Sequence, residues 1–320
     1  MIFPFYFHFW TSYLNSILKR EQFDIIHIHD LPLAKIGYNL SLKYNLRFVL
    51  DLHENYPYLL KEARHINTPL GRLFFSLPQW LNYEKQMLQK ADVIISVIEE
   101  QKQRFTSIGG DEKRTFVVPN TPIVEEIKVN SIVKSEAKTT FIYAGNIDQS
   151  RGLELAMEAF KEVTKRHKGI KLQIIGDGKI LPELKLYVEK ERLDRFVEFL
   201  GWKPYSKMME YISMADIALL PQLKSVNSDF GIPNKLFQYM LSGKPVIASN
   251  CSAVSRIVKE THSGLIFRNQ DKTELIKAIE VAIQNRAMMM EMGASGRKWV
   301  LEKYNWDLAA QELLKAYNSL

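Results

Sequence analysis

Residues Ser228–Ser249 read S-D-F-G-I-P-N-K-L-F-Q-Y-M-L-S-G-K-P-V-I-A-S, a polar loop followed by a helix start, a tight turn and an apolar strand. The apolar spacing after Pro233 predicts a short helix that ends at Gly243, because a glycine directly after the last periodic residue is typical of a helix C-terminus. The free N–H groups of the first turn carry the positive end of the helix dipole, and Lys235 adds a full charge there. The stretch therefore predicts a phosphate-binding helix start, although a capped helix in any α/β protein would show the same local pattern.

The sequence around this stretch alternates short apolar runs with helical patterns, and most of the runs end in Gly or Pro. This alternation predicts a doubly wound parallel sheet, because parallel neighbours need a crossover connection that covers the faces of the sheet. The predicted strands lie within Thr140–Glu154, Lys171–Gly178, Val197–Trp202, Ala215–Pro221, Pro245–Ser249 and Ser263–Phe267.

The first part of the chain shows the same alternation. Its predicted strands are Asp24–His29, Arg47–Leu52, Asp92–Val97 and Thr115–Asn120. Ligands of such sheets bind at the carboxyl ends of the strands. The polar residues there are His27, His29, Asp30, Asp51, His53 and Glu54.

His27 and His29 are two positions apart, so they share one face of a strand and form a candidate metal pair. No third ligand with the spacing of a zinc motif follows them. We therefore expect one histidine packed under the sheet and the other at its rim, with no metal.

Composition limits the function classes. A chain of 320 residues with 46% hydrophobic content can form two domains, and its net charge of +7 includes no basic run with interleaved aromatics that would indicate nucleic acid binding. The single cysteine, Cys251, excludes an internal disulfide and fits a cytoplasmic protein.

The aromatic N-terminus lacks the features of a signal peptide, and a contact with the membrane surface is its alternative to simple packing. The polar stretch Ile123–Lys138 predicts a linker.

Three motifs occur in the order found in retaining glycosyltransferase family 4. The P-N-K-L-F-Q-Y-M-L-S-G-K-P-V-I-A-S stretch resembles the donor-sugar motif of that family, and D-L-H-E-N-Y-P after D-I-I-H-I-H resembles its histidine loop. The turn Gly145–Gly152 resembles the family's glycine turn before K-G, with arginine in the lysine place. The resemblance implies a GT-B fold of two Rossmann-like domains facing a cleft. Residues 1–125 would form the N-terminal domain, 126–303 the nucleotide-sugar domain, and 304–320 a helix that crosses back.

The resemblance also implies roles for single residues. His53 would contact the donor sugar, and Arg151 and Lys235 would stabilise the leaving diphosphate. The remaining donor-binding residues would be Gly145, Asn146, Gly231, Ile232, Pro233, Asn234 and Gln238. The implied reaction transfers a sugar from a nucleotide diphosphate donor to a saccharide or polyprenyl-linked acceptor, for cell-surface polysaccharide. No metal or other cofactor is expected, and peripheral contact with the inner face of the cell membrane is consistent with such an acceptor.

The sequence departs from the family pattern in two respects. About three strands and a glycine-rich loop that normally precede D-I-I-H-I-H are absent, which predicts an incomplete N-terminal domain with an unpaired strand edge and low transfer activity. Phe230 and Gln238 stand where the family carries a glutamate pair, and Asn146 stands where many members carry a second arginine. A non-catalytic sugar-nucleotide-binding protein, a structural partner of a larger transferase and a sugar-nucleotide 2-epimerase therefore remain as alternatives.

Overall fold

A computed structural model of the chain describes residues 4–63, 66, 68, 71, 73, 75–124 and 138–320. These residues divide into two compact units. Unit 1 comprises Met1–Asn120 with Leu308–Leu320, and unit 2 comprises Thr121–Asp307. Most of the predicted linker Ile123–Lys138 lies outside the described residues.

Unit 1 contains a four-stranded parallel sheet in the order β1-β2-β3-β4. The strands are β1 (Ile25–His29), β2 (Arg47–Leu52), β3 (Val93–Ser96) and β4 (Thr115–Val117). Its helices are Pro4–Leu18, Ala34–Tyr44, Tyr56–Glu62, Leu77–Lys90, Glu99–Ser107 and, from Leu308 onward, Trp306–Asn318. All four strands occur where the sequence predicts them, and β1 is an edge strand within the described part of the sheet.

The core of unit 1 is built on both faces of this sheet, as crossover helices require. Every residue of β2 after Arg47 is buried. The C-terminal helix covers one face, where Ala309 and Ala316 pack with Val49 and Ile95. The small side chains of these two alanines let the helix approach the sheet closely, so the last residues of the chain complete the core of unit 1.

Unit 2 contains a six-stranded parallel sheet in the order β10-β9-β8-β5-β6-β7. The strands are β5 (Thr139–Ala144), β6 (Ile170–Ile175), β7 (Val197–Gly201), β8 (Ile217–Leu220), β9 (Val246–Ser249) and β10 (Gly264–Phe267). Its helices are Leu153–Arg166, Leu181–Lys190, Tyr205–Met214, Val226–Asp229, Asn234–Leu241, Ser252–Glu260, Lys272–Gln284 and Arg286–Glu302. The sheet is doubly wound, as the alternating pattern predicts.

The strand order of unit 2 reverses between β5 and β8. The chain runs outward from β5 to β7, then returns to pair β8 with the other side of β5. Crevices for ligands form at such a switch point, outside the carboxyl ends of the two strands. The loops that follow Ala144 and Leu220 are therefore the place to look for a site.

The helix Asn234–Leu241 ends as the sequence predicts. Gly243 has a φ of 67°, its N–H donates to Met240 O at 2.9 Å, and the N–H of Lys244 donates to Tyr239 O at 2.9 Å. This pair of bonds is the Schellman motif, in which a left-handed residue satisfies the last carbonyls of a helix. The turn leads directly into the buried strand β9.

Candidate active site

The turn after β5 is the first part of the candidate site. Gly145 has a φ of 135°, a conformation that L residues with a side chain rarely adopt. The Tyr143 hydroxyl donates to Asn146 O at 2.6 Å and fixes the next peptide. A Cβ on Gly176 would lie 1.9 Å from Gly145 O. The end of β6 therefore packs directly against this turn, which explains the glycines after both strands.

The helix Asn234–Leu241 is fastened to the same turn through a buried tyrosine. The hydroxyl of Tyr239 accepts a hydrogen bond from the N–H of Ala144 at 2.8 Å. Burial raises the pKa of Tyr239, so its hydroxyl stays neutral and retains this bond. Tyr239 lies in the second half of the helix Asn234–Leu241, so this bond ties the body of the helix to the end of β5.

Arg151 is held at the junction of the loops after β5 and β8. It ends the short 3-10 helix Gln149–Arg151, and the next residue, Gly152, has a φ of 67°. A Cβ on Gly152 would lie 1.9 Å from Pro221 O, and the N–H of Leu223 donates to Ser150 O at 2.8 Å. These contacts place Arg151 at the topological switch point.

Lys235 turns its ammonium group inward over the glycine turn. The Nζ atom lies 3.9 Å from the centroid of the Tyr143 ring, and a Cβ on Gly145 would lie 2.5 Å from it. The Nζ is buried and has no hydrogen-bond partner among the described residues. Burial, and then the positive charge of Arg151, lower the pKa of Lys235 well below its usual 10.5.

Arg151 shares this lack of partners. Its Nε atom is buried and has no hydrogen-bond partner in the part of the chain that the structure describes. Neither Arg151 nor Lys235 forms an ion pair with a carboxylate of the described residues. Buried nitrogen atoms of cationic side chains are normally paired, so Lys235 Nζ and Arg151 Nε, on two side chains that influence each other electrostatically, indicate a binding site for an anion. A salt bridge with a neighbouring carboxylate would be the alternative to anion binding for these two side chains, and none occurs within the described residues.

The other predicted donor residues have different environments. Asn146 donates from its side chain to Asp148 at 2.5 Å. The segment 231–233 joins the helix Val226–Asp229 to the helix that begins at Asn234, which is exposed. Gln238 is half-buried and lies almost one turn after Lys235 on the same helix. The structure thus brings Gly145, Arg151 and Lys235 together, and Asn146 is directed toward Asp148.

The buried position of Lys235 leads to a prediction about protons. A bound diphosphate would favour the ammonium form and raise the lowered pKa, so binding should be accompanied by proton uptake. Affinity should be highest at low pH and fall as pH rises through the pKa of Lys235 in the free protein. Arg151 and Tyr143 lie near this ammonium, and Asp148 and Tyr239 are the titratable groups that interact with Tyr143 in turn.

Calorimetry in two buffers of different ionisation enthalpy measures this uptake. The number of protons taken up on binding the same nucleoside diphosphate at one pH should be larger for the unchanged chain than for Lys235→Gln. Protons of the ligand contribute equally to both titrations, so the difference belongs to Lys235. Equal proton uptake in the two proteins would contradict the prediction.

In unit 1, His53 lies in the loop directly after β2 and is held by three contacts. Its Nε2 atom lies 3.2 Å from Asp51 Oδ2, and its Nδ1 lies 3.2 Å from Asn120 Nδ2. Its backbone N–H donates to Asp30 Oδ1 at 3.1 Å. The hydrogen bond with Asp51 raises the pKa of His53 above 6.5, against the effect of burial. The ring of His53 is therefore fixed in position and half-buried.

Asp51 is the centre of a group of histidines. Burial alone would raise the pKa of Asp51, but hydrogen bonds from His27 and His53 outweigh it and lower the pKa from 3.8 to about 2. His27 and His29 lie on one face of β1 as predicted, and their rings stack with centroids 4.5 Å apart. His27 also contacts the hydroxyl of Tyr317 from the C-terminal helix.

The comparisons with known proteins define the class of this chain. Residues 124–299 match the family described as Glycosyl transferases group 1, and residues 3–121 match the family described as Glycosyltransferase Family 4. The chain therefore belongs to the group 1 glycosyltransferases, which makes it a transferase with a GT-B fold. This membership favours transfer over the 2-epimerase and non-catalytic alternatives.

Individual relatives support the same class. An uncharacterized glycosyltransferase of Methanocaldococcus jannaschii is 25% identical over 309 residues, which are 96% of this chain and 78% of the relative. The amylovoran biosynthesis glycosyltransferase of Erwinia amylovora is 27% identical over 175 residues, 54% of this chain and 43% of the relative. The structure of Anabaena HepE in complex with UDP superposes with a TM-score of 0.78 at 15% identity, covering 97% of this chain and 82% of HepE.

Sequence reasoning missed the tyrosines that support the site. Tyr143 lies under the Lys235 ammonium, and Tyr239 ties its helix to the end of β5. One signal could have indicated Tyr239, since it lies four residues after Lys235 and so on the same helix face. The contact of Tyr317 with His27 joins distant parts of the chain, so no local sequence pattern predicts it.

Proposed function

We propose that this glycosyltransferase moves a sugar from a nucleotide diphosphate donor to a saccharide or polyprenyl-linked acceptor, with retention at the anomeric carbon. The observation that carries this proposal is the pair of buried nitrogen atoms Lys235 Nζ and Arg151 Nε, which lack an anion among the described residues and lie at the switch point of unit 2. A diphosphate supplies the missing negative charge. The structure of Anabaena HepE holds UDP on the same fold, which supports a nucleotide as the ligand.

In the proposed reaction, the bond between the sugar C1 and the diphosphate oxygen breaks, and a bond from C1 to an acceptor oxygen forms on the same face. Negative charge then develops on the diphosphate. Lys235, Arg151 and the backbone N–H groups of Gly231, Ile232 and Asn234 stabilise that charge, and such preorganised electrostatic stabilisation is usually the largest catalytic contribution. His53 positions the sugar through a hydroxyl, and the acceptor proton leaves with the diphosphate.

The proposed transfer uses no metal ion. Many nucleotide-sugar reactions need a divalent cation to neutralise the leaving diphosphate, but here two side-chain cations and a helix start serve that purpose. No carboxylate is assigned as a nucleophile. The reaction should therefore proceed in the presence of a chelator.

The proposed role is in cell-surface polysaccharide synthesis, and the proposed location of the reaction is the cytoplasm, at the inner face of the membrane. None of the described helices combines the length and apolarity that crossing a membrane requires. The helix Pro4–Leu18 instead exposes aromatic side chains at four-residue spacing, with Phe5 85%, Phe9 60% and Tyr13 50% exposed. Aromatic residues suit the interfacial region of a bilayer, so this helix is our candidate for peripheral contact.

Incubation of the purified full chain with a panel of nucleotide sugars tests the proposal. The assay contains EDTA and a polyprenyl diphosphate saccharide as acceptor. We expect one nucleotide sugar of the panel to release its nucleoside diphosphate. Nuclear magnetic resonance of the product gives its anomeric configuration. An inverted product, or strict dependence on a divalent ion, would contradict the mechanism proposed here.

Gly231 offers a test of the backbone approach to the diphosphate. A Cβ at this position would meet only Asn227 O at 3.4 Å, an ordinary contact, and its φ is outside the left-handed region. Gly231→Ala should therefore leave the thermal unfolding temperature nearly unchanged. If the backbone there contacts phosphate, affinity for the nucleoside diphosphate should fall by roughly tenfold, about the value of one hydrogen bond. Gly176→Ala is the contrasting variant, since its Cβ would collide with Gly145 O and lower stability. Unchanged affinity in Gly231→Ala would remove this segment from the site.

A further inference from the structure

Three side chains that can ligate a metal lie together at the ends of β1 and β2. The strand register places His29 opposite Asp51, and His27 is two residues earlier on the same face of β1. The rings of His27 and His29 are nearly parallel, with an angle of 24° between them. The fold therefore presents two imidazoles and one carboxylate to the same point.

The separations of these side chains fit a single small cation. Asp51 Oδ2 lies 3.2 Å from His27 Nε2 and 3.2 Å from His29 Nδ1, and the three ligand atoms all lie within 4.8 Å of one another. Zinc binds histidine nitrogen at about 2.0–2.1 Å and carboxylate oxygen at about 2.0–2.2 Å, so two tetrahedral ligands lie roughly 3.4 Å apart. An ion at this point would reach both histidines and Asp51 with small movements.

Hydrogen bonding alone explains this arrangement less well. Three imidazole nitrogens converge on Asp51 Oδ2, because His53 Nε2 also lies 3.2 Å from it. The other oxygen, Oδ1, is buried and has no hydrogen-bond partner within the described residues. A carboxylate that only accepts hydrogen bonds gains by sharing the donors between its two oxygens, since a buried oxygen without a partner is costly. A cation beside Oδ2 accounts for nitrogens that gather at one oxygen.

The surroundings supply what a metal site needs. His27 uses its second nitrogen, Nδ1, to contact the hydroxyl of Tyr317, an outer contact that fixes the orientation of a ligating ring. Asp51 is buried, so its carboxylate is held in place beside the two imidazoles. The side chain of His29 is 65% exposed, which leaves an entry path from solvent.

We propose that His27, His29 and Asp51 form a binding site for a divalent transition-metal ion of the Zn²⁺ class. Two imidazoles and a carboxylate favour such ions over Mg²⁺ or Ca²⁺, which prefer oxygen ligands. The ion does not stabilise the leaving diphosphate, whose charge-stabilising groups belong to unit 2, but it lies beside His53, whose Nε2 is 3.3 Å from His29 Nδ1. It ties the edge strand β1 to β2 and, through Tyr317, to the C-terminal helix, so its binding stabilises unit 1.

Titration of the full chain, stripped with a chelator and free of nucleotide, tests the site. Calorimetry with ZnCl₂ should show one site per chain, Co²⁺ should give visible ligand-field absorption, and Zn²⁺ should raise the unfolding temperature. His27→Ala and His29→Ala should abolish all three responses. Tyr317→Phe should weaken Zn²⁺ binding by roughly 10–100-fold, the usual effect of losing an outer contact. His8→Ala is the matched control, because His8 is an exposed histidine of the same unit outside the cluster.

Two results would overturn the inference. His29→Ala changes an exposed position, so this variant should fold. If it binds Zn²⁺ with the same affinity as the unchanged chain, any metal binds elsewhere. Mg²⁺ that displaces Zn²⁺ at equal concentration would contradict the assigned class of ion. Nucleotide binding is measured separately, so failure of the donor proposal and failure of the metal site remain distinguishable.

Discussion

Lys235→Ala and Arg151→Ala should each lower sugar transfer by roughly 10²–10³-fold, the range seen when one preorganised electrostatic donor is removed. The reason is that Lys235 Nζ and Arg151 Nε are buried without a carboxylate partner among the described residues, at the place where the proposed diphosphate would develop its charge. Affinity for the nucleoside diphosphate should fall far more than affinity for the nucleoside, because contacts to base and ribose remain. Initial rates and calorimetry measure the two effects.

Lys207→Ala is the control for these variants. Lys207 is an exposed lysine of the same unit and pairs with Glu210 at 2.9 Å on the surface of its helix. Its removal takes away one positive charge without touching the site, so transfer and nucleotide affinity should stay close to those of the unchanged chain. Equal losses for nucleoside and nucleoside diphosphate in Lys235→Ala would instead indicate a structural role for the lysine.

Arg104→Met should destabilise unit 1 by about 3–5 kcal/mol, the cost of breaking a buried ion pair by removing one partner. Arg104 Nη1 donates to Glu84 Oε1 at 3.0 Å, and Nη2 pairs with the second oxygen of the same carboxylate. Only 8% of the Arg104 side chain and 1% of the Glu84 side chain are exposed. Methionine keeps the volume of the stem but leaves the Glu84 carboxylate without its cation.

Chemical denaturation of the full chain measures this loss, read from near-ultraviolet signals of unit 1. Lys165→Met breaks a pair with Glu162 whose side chains are 60% and 36% exposed, and it should change stability by less than about 1 kcal/mol. The double variant Glu84→Gln with Arg104→Met should recover part of the loss, since no buried charge remains. Similar small effects of Arg104→Met and Lys165→Met would show that the buried pair contributes little.

Much of the fold could be predicted because its signals are local. The run Arg47–Leu52 is predicted and observed with the same bounds, since a strand buried on both faces is continuously apolar. The end of the helix Asn234–Leu241 at Gly243 was equally clear, because only glycine adopts its left-handed φ at no steric cost. Helical spacing predicts a first helix over Trp10–Leu18, whereas the helix of the structure begins at Pro4. Aromatic residues are poor helix formers in isolation, and tertiary context overrides that preference.

The candidate site was predictable only where the topology fixes it. Arg151 and Lys235 each follow a turn or loop at the carboxyl edge of one sheet, so their convergence follows from the alternation of strands and helices. Asp51, the third member of the metal site proposed above, lies on the neighbouring strand opposite His29, and ligand spacing along the chain does not indicate it. Register between strands depends on packing of the whole sheet, and no local pattern records it.

The reversal of strand order in unit 2 has a consequence for the way the unit folds. Neighbours β5, β6 and β7 pair in sequence order, so they can assemble early from nearby parts of the chain. The pairing of Phe141 with Ile217 closes a much longer loop, and contacts between distant residues form late because chain entropy opposes them. Lys235 is farther still along the chain. We therefore expect the proposed anion site to be among the last features to assemble, because a nascent chain that stops before β8 lacks Lys235.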